Sequence, residues 1–62
     1  MDISKMVIGK GQDHCYWIYD DATDKYLHTD ISWSKYSEDE FIGMMTRCGE
    51  AHGYGWSNSL QD

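Results

Sequence analysis

Tyr16-Trp17-Ile18-Tyr19-Asp20-Asp21-Ala22-Thr23-Asp24-Lys25-Tyr26-Leu27-His28 is the stretch on which the fold turns. Two runs rich in aromatic residues flank a cluster of Asp, Ala and Thr, which is the pattern of a β-hairpin. The chain has 62 residues, among them three Trp, five Tyr and one Phe. At this length a fold buries only about 60% of the surface its unfolded chain exposes. Aliphatic residues are few, so aromatic rings must carry most of the packing. The rest of the chain has to pack against this hairpin.

The segment from Trp17 to Thr23, followed by Tyr26, resembles the second hairpin of the immunoglobulin-binding domains of streptococcal protein G. The resemblance extends to the turn chemistry and no further, and it carries nothing about antibody binding. It implies a register in which Asp20 and Lys25 close the turn, Tyr19 faces Tyr26 and Trp17 faces His28. Asp21, Ala22 and Thr23 then form a type I-like turn. Asp24 takes the left-handed conformation, which Asp tolerates better than most residues. The two-residue strand period sorts the side chains onto two faces. Cys15, Trp17, Tyr19, Tyr26 and His28 share one; His14, Tyr16, Ile18, Leu27, Thr29, Ile31 and, if the strand runs that far, Trp33 share the other.

Upstream, residues 3–8 are β-prone, and Gly9-Lys10-Gly11-Gln12-Asp13 reads as a loop. Downstream, Ser37-Glu38-Asp39-Glu40 reads as a capping box that starts a helix. Phe41, Met44, Met45 and Cys48 recur at three- and four-residue spacing, with Ile42 and His52 on the same side. The helix is expected over about 38–52, ending at Gly49 or Gly53. In the tail, 53–62, Tyr54 and Trp56 either fold back over a sheet face or form a binding segment, and residues 58–62 are expected to fray. The expected architecture is therefore α+β: a single domain, 1–62, with a small antiparallel three-stranded meander (β-β-β-α) and one C-terminal amphipathic helix packed on one face. The helix stripe of Phe41, Met45 and Cys48 suits the aliphatic face with Ile18, Leu27 and Ile31. The protein G resemblance implies the opposite, a buried aromatic face, and the sequence leaves that choice open.

The net charge of −6 disfavours nucleic acid or an anionic membrane as a direct partner and suits a protein with a basic surface. There is no run of the roughly 20 apolar residues a membrane span needs and no signal-peptide pattern, so a cytoplasmic setting with reduced thiols is expected. Two acidic clusters stand out, Asp20/Asp21/Asp24 and Glu38/Asp39/Glu40, balanced by only Lys5, Lys10, Lys25, Lys35 and Arg47. Each has a plain structural explanation, since Asp favours turns and carboxylates favour helix N-termini. Together they could imitate nucleic-acid charge. On this basis a non-enzymatic protein-binding module is expected, with Trp17, Tyr19, Tyr26 and Trp56 as anchors and the two clusters as steering charge. Small size, acidity and lack of a catalytic motif resemble the profile of phage- or mobile-element-encoded inhibitors of the anti-CRISPR and DNA-mimic kind. The alternatives are a homo-oligomer, such as a homodimer, that buries its aromatic face, and a metal-stabilised fold.

Other constellations point less far. Cys48 and His52 lie one helical turn apart, and His14, Cys15 or His28 could complete a tetrahedral zinc site, but paired CxxC knuckles are absent. As a nucleophile–base pair, Cys48 and His52 suffer from a helix C-terminus, which opposes a thiolate. A Cys15–Cys48 disulfide is conceivable, though two buried thiols are the default. The turn from Asp20 to Asp24 lacks the terminal Glu of a calcium loop. No catalytic residue, cofactor or metal ligand is assigned. Gly43 sits on the helix's polar side, at a cost of about 1 kcal/mol relative to Ala, which suits either simple tolerance or a surface that something approaches closely.

Overall fold

Asp20 pairs with Lys25, Tyr19 with Tyr26 and Trp17 with His28, so the hairpin register is as expected. The turn is built by its own side chains. Asp20 accepts a hydrogen bond from the Ala22 amide at 3.0 Å, and Asp24 is left-handed with φ 56°. The computed structural model describes residues 2–59.

The sheet has four strands, not three. β1 (Val7–Lys10), β2 (Cys15–Asp20), β3 (Lys25–Ser32) and β4 (Gly53–Ser57) lie antiparallel in sequence order. Helix α1 (Glu38–Cys48) stands between β3 and β4 and runs into a 3-10 turn, Gly49–His52. The expected β-β-β-α order with a C-terminal helix is thus overturned: what reads as an aromatic tail is the fourth strand. Two glycines in five residues disguise it, because glycine weakens a strand and offers no side chain to show the alternation. Of the two expected ends, Gly49 is the one used: at φ 50° it caps the helix with its N–H directed to the Met45 carbonyl, and residues as far as His52 continue only as the 3-10 turn.

The first strand is also displaced from its expected position. The Asp2 carboxylate accepts from the Ser4 amide at 3.0 Å and hydroxyl at 2.7 Å, and the Met6 amide donates to the Ile3 carbonyl. These bonds curl residues 2–6, so β1 begins at Val7 and takes in Gly9 and Lys10, which had read as loop. Ile3 is nonetheless fully buried.

The core is Ile3, Tyr16, Ile18, Leu27, Ile31, Phe41 and Met45. Helix α1 therefore covers the aliphatic face, and the burial implied by the protein G resemblance is not followed. Phe41 stacks on Tyr16 with centroids 4.3 Å apart, and the Tyr16 hydroxyl donates to the Tyr36 carbonyl at 2.7 Å. Each fully buried side chain of this size contributes about 1.5–3 kcal/mol. The capping box forms in full at Ser37 and Glu40.

Two irregularities shape the sheet. Between the Trp17–His28 and Cys15–Ser32 pairs, β3 advances four residues while β2 advances two. Thr29, buried in this bulge, donates its hydroxyl to the Tyr16 carbonyl at 2.8 Å and so satisfies a backbone acceptor that the bulge would otherwise strand. Between the Leu27–Trp56 and Thr29–Gly53 pairs, β4 carries one extra residue, and Gly55 sits there at φ 94°. Asn58 and Ser59 do not fray: Lys25 Nζ donates to Asn58 Oδ1, and the Ser57 hydroxyl donates to the Ser59 carbonyl at 2.7 Å. The expected fraying of residues 60–62 lies outside the described residues.

Candidate functional site

The face of the sheet away from α1 is built by strand parity. Val7 lies across from Tyr19 and Gly9 across from Trp17. Trp17 and Tyr19 in turn lie across from His28 and Tyr26. On the other side of β3, Ser57 pairs with Tyr26. No helix covers this row, since α1 packs on Ile18, Leu27 and Ile31.

The rings pack on one another. Trp17 meets Tyr26 edge-on at 5.9 Å, and Tyr19 lies 4.8 Å from Tyr26. Trp17 also lies flat against β1: a Cβ at Gly9 would come within 2.0–2.5 Å of its indole atoms. That closeness explains glycine in a strand, where the missing side chain is replaced by a cross-strand ring. These rings are half-buried, whereas Val7 is 55% and Tyr54 74% exposed.

Tyr54 joins the face because of the β4 bulge. Residues two apart in a regular strand point the same way. The extra residue at Gly55 breaks that rule, so Tyr54 meets the His28 ring at 6.3 Å while Trp56 packs on the core beside Leu27. Trp56, expected to act as an anchor alongside Trp17, is therefore on the opposite side of the sheet. Tyr54 and Val7 take its place. Parity alone would have found Val7 had β1 been placed correctly; no periodic signal locates Tyr54.

Two carboxylates edge this face: Asp24, held by Tyr19, and Asp13, which lies against His28. The Tyr19 hydroxyl donates to Asp24 at 2.6 Å. That bond, with smaller effects of burial and nearby charge, pushes the Tyr19 phenol up to about 12. Asp13 Oδ2 lies 2.7 Å from His28 Nε2. This is a close polar contact rather than a well-directed hydrogen bond, because the carboxylate lies off the line of a ring N–H. Asp13 Oδ1 accepts from the Cys15 amide at 3.1 Å.

The two acidic clusters do not converge. Asp20, Asp21 and Asp24 sit at the hairpin tip. Glu38, Asp39 and Glu40 follow Tyr36, whose carbonyl is tied to Tyr16 near the other end of the same ladder. Five residues of strand, roughly 17 Å, separate those ends. Only the tip cluster borders the aromatic face. Beside α1, an open depression of about 430 Å³ is lined by Tyr36, Asp39, Glu40, Gly43, Met44 and Arg47. A Cβ at Gly43 would meet only Arg47 Nη1, at 3.4 Å, so the fold itself does not call for glycine there.

The cysteine and histidine constellation is dispersed. Cys15 is half-buried and Cys48 is exposed, both as free thiols, so the expectation of two buried thiols fails at Cys48. Burial pushes the Cys15 thiol up, with Asp13 and Asp30 adding to the shift, so thiolate is scarce at neutral pH. His52 Nδ1 lies 3.2 Å from Asp30 and fastens the 3-10 turn to the β3 bulge. His14 stacks on Trp33, centroids 5.0 Å apart. Among the described residues no three His, Cys, Asp or Glu side chains gather as a metal site would require, and no helix is long and apolar enough to cross a membrane. No protein-family model matches the chain, and neither a curated protein nor a solved structure gives a match.

Proposed function

We propose that this chain is a non-enzymatic protein-binding module that seats its open sheet face on a basic surface of a host protein, in the cytoplasm, as an inhibitor that displaces nucleic acid would. The observation that carries this proposal is the uncovered face itself. Val7 and Tyr54 stand largely exposed beside the rings of Trp17, Tyr19, Tyr26 and His28, and exposed apolar surface of this kind usually marks an interface. The net charge of −6 and the acidic tip support a basic partner. The distance between the acidic clusters confines this role to the tip, and Glu38, Asp39 and Glu40 serve the helix N-terminus.

The test is capture from a native-host lysate by the immobilised chain. A Val7→Ser, Tyr54→Ser variant that keeps its circular dichroism should lose the captured protein, and free DNA should elute that protein from the wild type. Equal capture by the variant would sink the assignment to this face. Capture unaffected by salt would sink the electrostatic part, because exposed charges are screened within about 10 Å at moderate ionic strength.

A further inference from the structure

The side of α1 turned away from the sheet carries Asp39, Gly43 and Arg47 at four-residue intervals. In a helix of 3.6 residues per turn these three form one narrow row, opposite the buried Phe41 and Met45. We infer that this row is the contact of a two-fold dimer. In it, α1 of a second copy of this chain crosses antiparallel at Gly43, so that Asp39 of each copy meets Arg47 of the other. This goes beyond the protein-binding proposal and does not depend on it.

Charge complementarity selects a second copy as the occupant. Gly43 is the midpoint of the row, so a two-fold axis there sets residue 39 against residue 47 at both ends. Both side chains are exposed. Among the described residues the ion pairs are His28 with Asp13 and His52 with Asp30, and these use neither Asp39 nor Arg47. The two stand about 12 Å apart along the helix axis, at opposite ends of the row. An antiparallel copy brings each level with its opposite charge. A parallel copy would set Asp39 against Asp39 and Arg47 against Arg47, which penalises that arrangement. Antiparallel order also opposes the two helix dipoles. The neighbouring carboxylates stay clear of the contact. Glu40 is turned back on Ser37 by the capping box, and Glu38, three residues before Phe41, lies towards the sheet side.

Shape is the second support. Glycine weakens a helix interior, and the fold does not require it here, since a Cβ would meet only Arg47 Nη1, at 3.4 Å. Its missing side chain opens the depression bordered by Tyr36, Asp39, Met44 and Arg47. A second helix crossing there sets its own Gly43 in that gap, and the backbones can approach closely. The row is an i±4 ridge, and two such ridges align when their helices cross at about 50°. Arg47 lies back over Gly43; rotation of this exposed side chain turns it out to Asp39 of the other copy. Met44, half-buried beside the row, meets its own counterpart across the axis. That apolar contact matters, because exposed ion pairs alone contribute little. The open sheet face lies on the far side of α1's contacts, so the dimer displays two such faces, one on each copy.

The experiment is sedimentation of the full chain over a concentration series to about 1 mM, the range in which so small a contact associates. The wild type should pass from monomer to dimer. Asp39→Arg and Arg47→Asp should each weaken the dimer ~10-fold or more, because each sets like charges together at both ends. An equimolar mixture of those two variants should recover it as a heterodimer. Both reversals in one chain, which restore the net charge of −6, should recover it as a homodimer. Asp21→Arg, at the hairpin tip, should leave it in place. Gly43→Ala should weaken pairing even as it stabilises the dilute, monomeric fold. Circular dichroism checks that each variant is folded. A monomer throughout the series, a dimer that both reversals leave unmoved, or failure of both the mixture and the double reversal to recover pairing would overturn the inference. A dimer that the reversals spare and Tyr54→Ser dissolves would overturn it too, and would put the contact on the open sheet face.

Discussion

One face of the sheet is closed by a helix and the other is closed only by its own rings, and the two achieve burial by different means. On the covered face, Ile18, Leu27 and Ile31 interlock with Phe41 and Met45 from α1 and with Ile3 from the N-terminal curl. Every residue there is shielded by a separate piece of chain. On the open face, Trp17 lies on Gly9, Tyr26 lies between Trp17 and Tyr19, and Val7 and Tyr54 stay exposed. Stability is therefore concentrated on one side, and the other is free to be specialised for contact.

Substitutions can test this division. The largest expected effect is Phe41→Ala, which empties the space over Tyr16 and should cost about 3–5 kcal/mol. For a domain this small that loss should abolish the cooperative thermal transition. Tyr54→Ala should stay within about 0.5 kcal/mol of wild type; a comparable loss at both positions would break the distinction between the faces. Gly9→Ala comes next. Its methyl would drive into the Trp17 indole, so a loss of about 1–3 kcal/mol and a shift in tryptophan fluorescence are expected. Gly43→Ala meets only the Arg47 guanidinium and should gain about 1 kcal/mol in chemical denaturation. A destabilised Gly43→Ala would mean that the depression beside α1 is tighter than its walls suggest.

The smallest effect is confined to alkali. The Tyr19 phenol titrates at about 12 when folded, against 10.0 for a free phenol. Its neutral form is held by the Asp24 bond, so the stabilisation is complete below pH 10. Above that the unfolded chain loses its proton first, and the stabilisation declines until it is gone as pH passes through about 12. Tyr19→Phe should flatten that part of the stability profile and remove one late step from the phenolate absorbance titration. An unchanged profile would show that Asp24 does not hold the hydroxyl.

How far the sequence could be read depended on whether the deciding interaction was local. The β2–β3 register, the left-handed Asp24 and the Ser37–Glu40 box each follow from residues a few positions apart, and all were legible. The covered face was legible as a set of residues, yet aliphatic and aromatic rows of similar apolarity left its assignment to α1 open, and only the packing of Phe41 on Tyr16 decides it. β4 was missed because Gly53 and Gly55 erase the strand pattern, and its pairing partner lies in β3, more than 20 residues away. The start of β1 was missed because the Asp2–Ser4 bonds, though local, compete with a β-prone composition. At the candidate site Trp17, Tyr19, Tyr26 and Asp24 lie together, with Asp20 and Asp21 beside them at the hairpin tip. Trp56, Glu38, Asp39 and Glu40 lie elsewhere, because side of sheet and end of ladder are properties of the assembled fold.

Gly55 carries a consequence for how this protein could change over time. Its torsion of 94° assigns two neighbouring aromatics to two occupations, Trp56 to the interior and Tyr54 to the outside world. A side chain at this position strains the backbone, and relief by straightening would return both rings to one side. Tyr54 would be drawn inward or Trp56 expelled, so one substitution would rewrite the contact surface and the core together. The adjoining positions can drift separately, each under its own selection. The glycine between them is a shared hinge of inheritance, and the chain cannot alter what it touches there without also altering what holds it up.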